Sequence, residues 1–197
     1  LAANTTGGDN TGLGFGALAS NTTASNNTAV GKSALLLNTT GTQNVAVGAA
    51  SLDANTTASE GTAVGWNSLS SNTTGASNTA VGKSALPSNT TGSANTAVGQ
   101  GAGAQLTTGG YNVMVGREVG INLSTGSFNT YMGYLAGTQD SARTGAIVIG
   151  AGNGFHVDKG NSTGFITPNG GGVYQGNNSS SWSTTSDRRI KKNIEDN

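Results

Sequence analysis

The segment "NTAVGKSALLLNTTGTQ" (residues 27–43) is followed at once by "NVAVGAASLDANTTASE" (residues 44–60), which has the same frame of asparagine, alanine, valine, glycine and threonine. Its reference glycine recurs at a constant 17-residue interval, at Gly14, Gly31, Gly48, Gly65, Gly82, Gly99, Gly116, Gly133 and Gly150. A fixed period near this size is typical of solenoids, in which each repeat buries its apolar face on the next. We therefore predict an all-β fold, a β-roll or β-solenoid of 17-residue repeats over residues 1–150.

Each repeat contains one short strand and one turn. Thr28, Ala29 and Val30 favour a strand, whose alternation puts Thr28 and Val30 on one face and Ala29 on the other. The following "NTTG" is typical of a turn. We expect about one valine and one leucine per coil in the core, and an alanine face small enough for another backbone to approach. Equivalent residues of successive repeats form two ladders. The valine ladder contains Val30, Val47, Val64, Val81, Val98, Val115, Met132 and Ile149, and the alanine ladder contains Ala29, Ala46, Ala63, Ala80 and Ala97.

A third ladder is predicted from asparagines four residues before the reference glycine, which would stack from coil to coil. Its members are Asn27, Asn44, Asn78, Asn95, Asn112 and Asn129.

So thin a core predicts self-association. Burying a large aliphatic side chain contributes roughly 1.5–3 kcal/mol, whereas ordering each residue's backbone costs roughly 1–2 kcal/mol. One valine and one leucine in each repeat leave an isolated roll marginal. We therefore expect a homotrimer, with several rolls packed about a common axis.

Composition excludes several other classes of protein. Hydrophobic residues are 34% and charged residues 9% of the 197 residues, the formal net charge is zero, and cysteine is absent. Such a chain lacks the basic footprint expected for nucleic-acid binding, has no disulfide or thiolate metal site, and contains no apolar run long enough for a membrane-spanning helix. We expect no nucleic-acid partner, no membrane insertion, no cofactor and no metal.

The position directly after the glycine varies widely, which predicts that it lies on the outer surface. It holds Phe15, Lys32, Ala49, Trp66, Lys83, Gln100, Arg117 and Tyr134. Trp66, Tyr134 and Arg117 are the candidate receptor-facing residues, although an ordinary surface position explains them as well. The position four after the glycine changes from leucine to glycine at Gly103, and we interpret the coils that follow as a transitional segment.

The end of the chain departs from the repeat. Residues 151–185 are predicted to form short strands and loops, interwoven between chains, and residues 186–197 read "SDRRIKKNIEDN". This last segment resembles the start of the intramolecular chaperone domain of phage tail fibres and tailspikes, including endosialidases. The family pattern Ser-Asp-x-Arg-x-Lys-x-x-Ile is matched from Ser186 to Ile194.

That resemblance implies a specific chemistry. In the family, the domain trimerises, assists folding of the β-structure before it, and then cuts itself off at the serine–aspartate junction. Carried over, the scissile bond lies between Ser186 and Asp187, with Ser186 as nucleophile and Lys191 as general base. The alternative interpretation is a solvated basic segment. Turnover catalysis is not expected, and the body of the chaperone domain does not follow in this sequence.

The "NTAVG" repeat resembles the β-roll heads of trimeric autotransporter adhesins, and Leu1 falls on a leucine position of the repeat, so we expect the array to begin upstream. Together, the two resemblances imply a receptor-binding shaft of a phage tail fibre, located on the virion and extracellular. Its partners would be a host surface glycan or outer-membrane protein and other tail proteins. The alternatives are a bacterial surface adhesin, a depolymerase tailspike, and an extracellular structural or ice-binding β-solenoid with a regular threonine face.

Overall fold

The structure is a computed structural model that describes residues 1–150, 164–167, 173–175 and 183–184. Its described part is an all-β parallel solenoid, as the repeat predicts. Each coil contributes one strand of three or four residues to a single sheet. The strands of the repeat are β1 (Thr11–Leu13), β2 (Thr28–Val30), β3 (Val45–Val47), β4 (Thr62–Val64), β5 (Thr79–Val81), β6 (Thr96–Val98), β7 (Val113–Val115), β8 (Thr130–Met132) and β9 (Ile147–Gly150).

The sheet follows chain order, and every strand from β1 to β9 pairs in parallel with the next. Thr28 lies opposite Val45, and Ala29 lies opposite Ala46, so the register is offset by one whole repeat. Equivalent residues of successive coils therefore form straight columns along the solenoid axis, at the usual strand spacing of about 4.8 Å.

Three further strands extend the sheet: β10 (Gly164–Thr167), β11 (Val173–Gln175) and β12 (Ser183–Thr184). β10 pairs in parallel with β9 and keeps the offset of one repeat, because Gly164 lies opposite Ile147. The strand stack thus continues one strand beyond the last reference glycine. The antiparallel pairs β10–β11 and β11–β12 then follow. The predicted interweaving of this segment between chains stays a prediction.

The coil closes through left-handed backbone at four points of each complete repeat. In residues 27–43, φ is +135° at Gly31, +58° at Ser33, +49° at Leu35 and +60° at Gln43. Left-handed backbone is costly for residues other than glycine, yet it recurs at the buried leucines Leu18, Leu35, Leu52, Leu69 and Leu86. Burial of the leucine side chain and the hydrogen bonds between coils, such as Leu35 N–H to Ser51 C=O at 3.0 Å, hold the backbone in this conformation.

The expectation about which strand face is buried is wrong. The alanine column, from Ala29 to Ala97, is fully buried inside the roll, where it packs in one core with the leucines. The valine column points outward, and Val47, Val81 and Val98 are 36–37% exposed. The reason is space: the interior of so narrow a coil already holds a leucine and a second alanine, such as Leu35 and Ala34, and only a methyl group fits opposite them. The alanine face is therefore not available to another chain.

The change of pattern at Gly103 is an exchange of volume within the core. Where the inward strand position grows from alanine to Met114 and Tyr131, the leucine position becomes Gly103 and Gly120. A Cβ atom on Gly103 would lie 2.7 Å from Met114 Cε, and one on Gly120 would lie 2.9 Å from Met114 Sδ. The larger strand side chains thus occupy the space that leucine fills in earlier coils.

Two columns of buried asparagines run along the interior. The predicted column is confirmed, because Asn44 Nδ2 donates to Asn27 Oδ1 at 3.1 Å and Asn129 Nδ2 donates to Asn112 Oδ1 at 2.9 Å. A second column, whose residues the sequence predicts only as turn positions, runs through the "NTT" asparagines. In it, Asn55 Nδ2 donates both to Asn38 Oδ1 at 2.8 Å and to the carbonyl oxygen of Ala58 at 3.0 Å.

Candidate binding surface

The outer face of the sheet is the most distinctive surface of the described residues. Its two outward columns are the first and third positions of each strand. The third is apolar in all nine repeat strands, and the first is threonine or valine until it ends in Ile147. The large apolar side chains that stand out most from these columns range in exposure from 36% at Val81 to 65% at Leu13. We call the column of third positions the apolar strip. It spans eight spacings of about 4.8 Å and is therefore roughly 38 Å long.

A third column, directly after the reference glycine, borders this strip. Its side chains are exposed, as the sequence predicts, with Phe15 at 82%, Trp66 at 54% and Tyr134 at 40%. This column contains the candidate receptor-facing residues, and the receptor role itself stays a prediction.

Two of those candidates are brought together. The Arg117 guanidinium lies over the Tyr134 ring, with Cζ 5.7 Å from the centroid. Its Nη2 also donates to Glu118 Oε1 at 2.8 Å. Trp66 belongs to a separate pair, with Lys83 Nζ 5.4 Å from its ring centroid. Exposed cation–π contacts of this kind contribute about 0.5–1 kcal/mol each, so they order the side chains and leave them accessible to a ligand.

A fourth exposed column was not predicted from the sequence. It lies two residues before each strand and carries Tyr111 and Phe128, both 61% exposed. Their rings stack with centroids 5.0 Å apart and planes inclined by 4°. Elsewhere this column holds Asp9, Asn26, Gln43, Glu60, Ser77, Ala94 and Gly145. The two aromatic residues, one repeat apart in an otherwise small or polar column, are the signal that could have identified them.

The titratable groups of the described part are mostly scattered. Burial raises the pKa of the Asp53 carboxyl above its ordinary value of 3.8, with backbone hydrogen bonds of Asp53 and Ala54 opposing the shift. Its Oδ1 is buried without a hydrogen-bond partner. Among the described residues, no group of three histidines or acidic side chains could hold a metal ion, and no helix is long and apolar enough to cross a membrane.

The proposed processing residues Ser186, Asp187 and Lys191 lie outside the described residues. Comparison with known protein families, with curated proteins and with solved structures finds no match to this chain.

Proposed function

We propose that this chain is a shaft segment of a phage tail fibre, a homotrimer that attaches to the host cell surface from an extracellular virion. The observation that carries the proposal is the apolar strip on the outer face of β1 to β9. Contiguous exposed apolar surface on this scale is typical of an interaction site.

A second and a third copy of the chain are the best cover for this strip. A covering surface has to match its length and its repeat spacing, and the same strip on an identical chain does both. Three sheets facing a common axis would bury the valine column and leave the columns on either side at the outer edges. The trimer thus forms through the valine face, in place of the alanine face expected from the sequence.

The exposed ring and guanidinium of the Tyr134–Arg117 pair, together with Trp66, are the proposed contacts for a host glycan or outer-membrane protein. Trimer folding is proposed to depend on the chaperone junction, with cleavage between Ser186 and Asp187 by a serine–lysine pair. A bacterial trimeric surface adhesin is the alternative that shares this architecture.

The test is the mass of the intact protein by analytical ultracentrifugation, followed by binding of the labelled protein to bacterial cells. We expect a mass of three chains and saturable attachment, which substitution of Arg117 and Tyr134 by serine weakens. A monomer with no attachment to any strain of a broad bacterial panel would reject the proposal. For the junction, mass spectrometry of the full-length gene product should find a new terminus at residue 186 or 187, absent from Ser186→Ala and Lys191→Ala variants.

One observation favours a second candidate, an ice-binding or extracellular structural solenoid. Thr28, Thr62, Thr79, Thr96 and Thr130 point outward beside the valine column and form a threonine column that Val45 and Val113 interrupt. Such an array would have to face water, which requires a monomer. Thermal hysteresis of a monomeric protein solution would support this candidate against the fibre.

A further inference from the structure

The stacked pair Tyr111–Phe128 stands apart from the surfaces invoked above, because both of its rings are held at an energetic cost. Each residue has a left-handed backbone, with φ +60° at Tyr111 and +61° at Phe128. Bulky side chains are rare in this region of φ. Each ring is also 61% exposed. Asparagine, as at Asn26 of the same column (φ +62°), tolerates this backbone better and exposes no apolar ring.

Strain and exposure at the same two residues indicate a role in binding. The fold does not require aromatic side chains in this column, because six earlier coils use aspartate, asparagine, glutamine, glutamate, serine or alanine there.

Among the described residues, neither neighbour of the pair in the column carries a bulky side chain. Ala94 precedes Tyr111 in the column and offers only a methyl group, while Gly145 follows Phe128 and has no side chain. Tyr111 and Ser77 are two coils apart, about 10 Å at the normal strand spacing, which leaves room for one ring above Ala94. Phe128 supports Tyr111 from behind through the 5.0 Å stack, so the open face of Tyr111 is held in a fixed orientation.

Polar groups border this open position. The hydroxyl of Ser77 donates to Glu60 Oε2 at 2.9 Å, and both side chains are exposed. Ser93, which directly precedes Ala94, accepts a hydrogen bond from the Ala76 N–H through its Oγ at 3.1 Å. An aromatic face bordered by hydroxyl and carboxylate groups suits a ligand with one apolar face and hydroxyls on its rim.

We propose that Tyr111, supported by Phe128, is a binding site for a neutral pyranose ring, which stacks on Tyr111 above Ala94 and presents its hydroxyls to Ser77 and Glu60. The choice of a saccharide rests on the proposed role in surface attachment. The carboxylate of Glu60 favours a neutral sugar over an acidic one, because a second negative charge nearby is repelled.

The test uses isothermal titration of the intact protein with cellohexaose, N-acetylchitohexaose and β-1,4-galactan hexaose, and with polysialic acid as the acidic comparison. We expect at least one neutral probe to bind and polysialic acid not to bind. The double variant Tyr111→Asn/Phe128→Asn should weaken that binding at least tenfold. The control Phe15→Asn removes an exposed ring of a different column and should leave the affinity unchanged.

The same double variant gives a second readout. It should unfold at the same temperature as the parent protein or a higher one, because asparagine relieves the strain of the left-handed backbone at both positions. This separates loss of the site from loss of the fold. Failure of every neutral probe to bind, or binding that survives the double substitution, would overturn the inference. A change in oligomeric state in the variant would assign the pair to a contact between chains instead. The proposed fibre function fails by a different result, a monomer that attaches to no cells.

Discussion

At the scale of the residue, the reference glycine lies at a position where a side chain does not fit. Gly82 has φ +134°, a conformation that L-residues rarely adopt. A Cβ atom there would lie 2.6 Å from the carbonyl oxygen and 2.7 Å from the carbonyl carbon of Gly99 in the next coil. Those atoms are backbone and Gly99 is held at both ends, since its N–H donates to the Val81 carbonyl oxygen at 2.8 Å and its carbonyl oxygen accepts from the Ala102 N–H at 3.3 Å. They therefore cannot move aside. This explains why the glycine is found in every repeat.

We therefore predict that Gly82→Ala destabilises the fold by about 2–4 kcal/mol, from the clash and the backbone strain together. Urea unfolding followed by circular dichroism measures the change. The control is Gly8→Ala, since a Cβ atom on Gly8 has nothing within 4 Å, and it should change stability by less than about 0.5 kcal/mol. Equal stability of Gly82→Ala and the parent protein would contradict the close contact between coils.

Asp53 gives the fold a pH dependence of predictable sign. Its pKa is raised by burial in the folded state, above the ordinary value of 3.8, so the folded chain binds a proton more readily than the unfolded chain. The contribution of Asp53 to stability is therefore greatest below pH 3.8 and declines as the pH rises through the interval up to the raised pKa.

Asp53→Ser, which installs the residue found at Ser70 in the same column, should raise the unfolding temperature at neutral pH and lose that advantage at a pH below the ordinary pKa of aspartate. Differential scanning calorimetry at the two pH values checks this. Asp9→Ser, at an exposed carboxylate, is the control, and the same pH-dependent gain in that variant would show that the effect does not belong to the burial of Asp53.

At the scale of the element, the sequence defines the strands well but not the direction in which they face. The repeat period, the position of each strand and the first asparagine column can be predicted from residues such as Asn27, Ala29 and Gly31, because the repeats follow one another without insertions. Alternation alone separates Ala29 from Val30 without saying which is inside.

The decisive signal was present in the later coils. Met114 and Tyr131 enter the alanine column just where Gly103 and Gly120 enter the leucine column. Such an exchange of volume is expected only between positions that share one core. The residue pattern marks Tyr111 and Phe128 as unusual in their column, but it does not give the contact geometry of their stack. The hydrogen bonds of the second asparagine column likewise depend on side-chain contacts that residue types alone do not reveal.

That second asparagine column should contribute strongly to the cohesion between coils. Asn55 donates two buried hydrogen bonds and accepts a third, from Asn72 Nδ2 at 3.2 Å. Asn55→Ala leaves Asn38 Oδ1 without a donor, whereas the Ala58 carbonyl oxygen keeps its hydrogen bond from Asn44 Nδ2 at 2.9 Å. Because one unsatisfied buried group costs about 1–3 kcal/mol, we expect a loss of about 1–3 kcal/mol in urea unfolding.

The matched control is Asn122→Ala, which removes the same side chain from a half-exposed position and should cost less than about 0.5 kcal/mol. If the two variants lost equal stability, the column would be no more than a row of turn residues, as the "NTT" pattern alone indicates.

At the scale of the whole molecule, the interior of the coil and the outer face of the sheet differ in how completely their apolar side chains are buried. The interior is closed by alanine, leucine and paired asparagine amides, so each coil is complete within one chain. The outer face of the sheet is not closed, because it keeps an apolar column in every strand from β1 to β9. An all-parallel sheet is usually buried on both faces and is then apolar on both. The outer face of this sheet carries an apolar column, and the part of the chain that the structure describes covers only the inner face.

The valine column is therefore where a trimer should be sensitive to charge. We predict that the double variant Val81→Glu/Val98→Glu converts the proposed trimer to monomers, because six carboxylates would be buried close together near its axis without cationic partners. Sedimentation velocity measures the mass, and the circular dichroism spectrum should stay unchanged, since both side chains point away from the interior of the coil. The control Thr91→Glu/Thr108→Glu places the same charges in the same two coils, at exposed turn positions, and should remain trimeric. Dissociation of the control, or a trimer that survives glutamate at both valines, would mean that the chains associate through another surface.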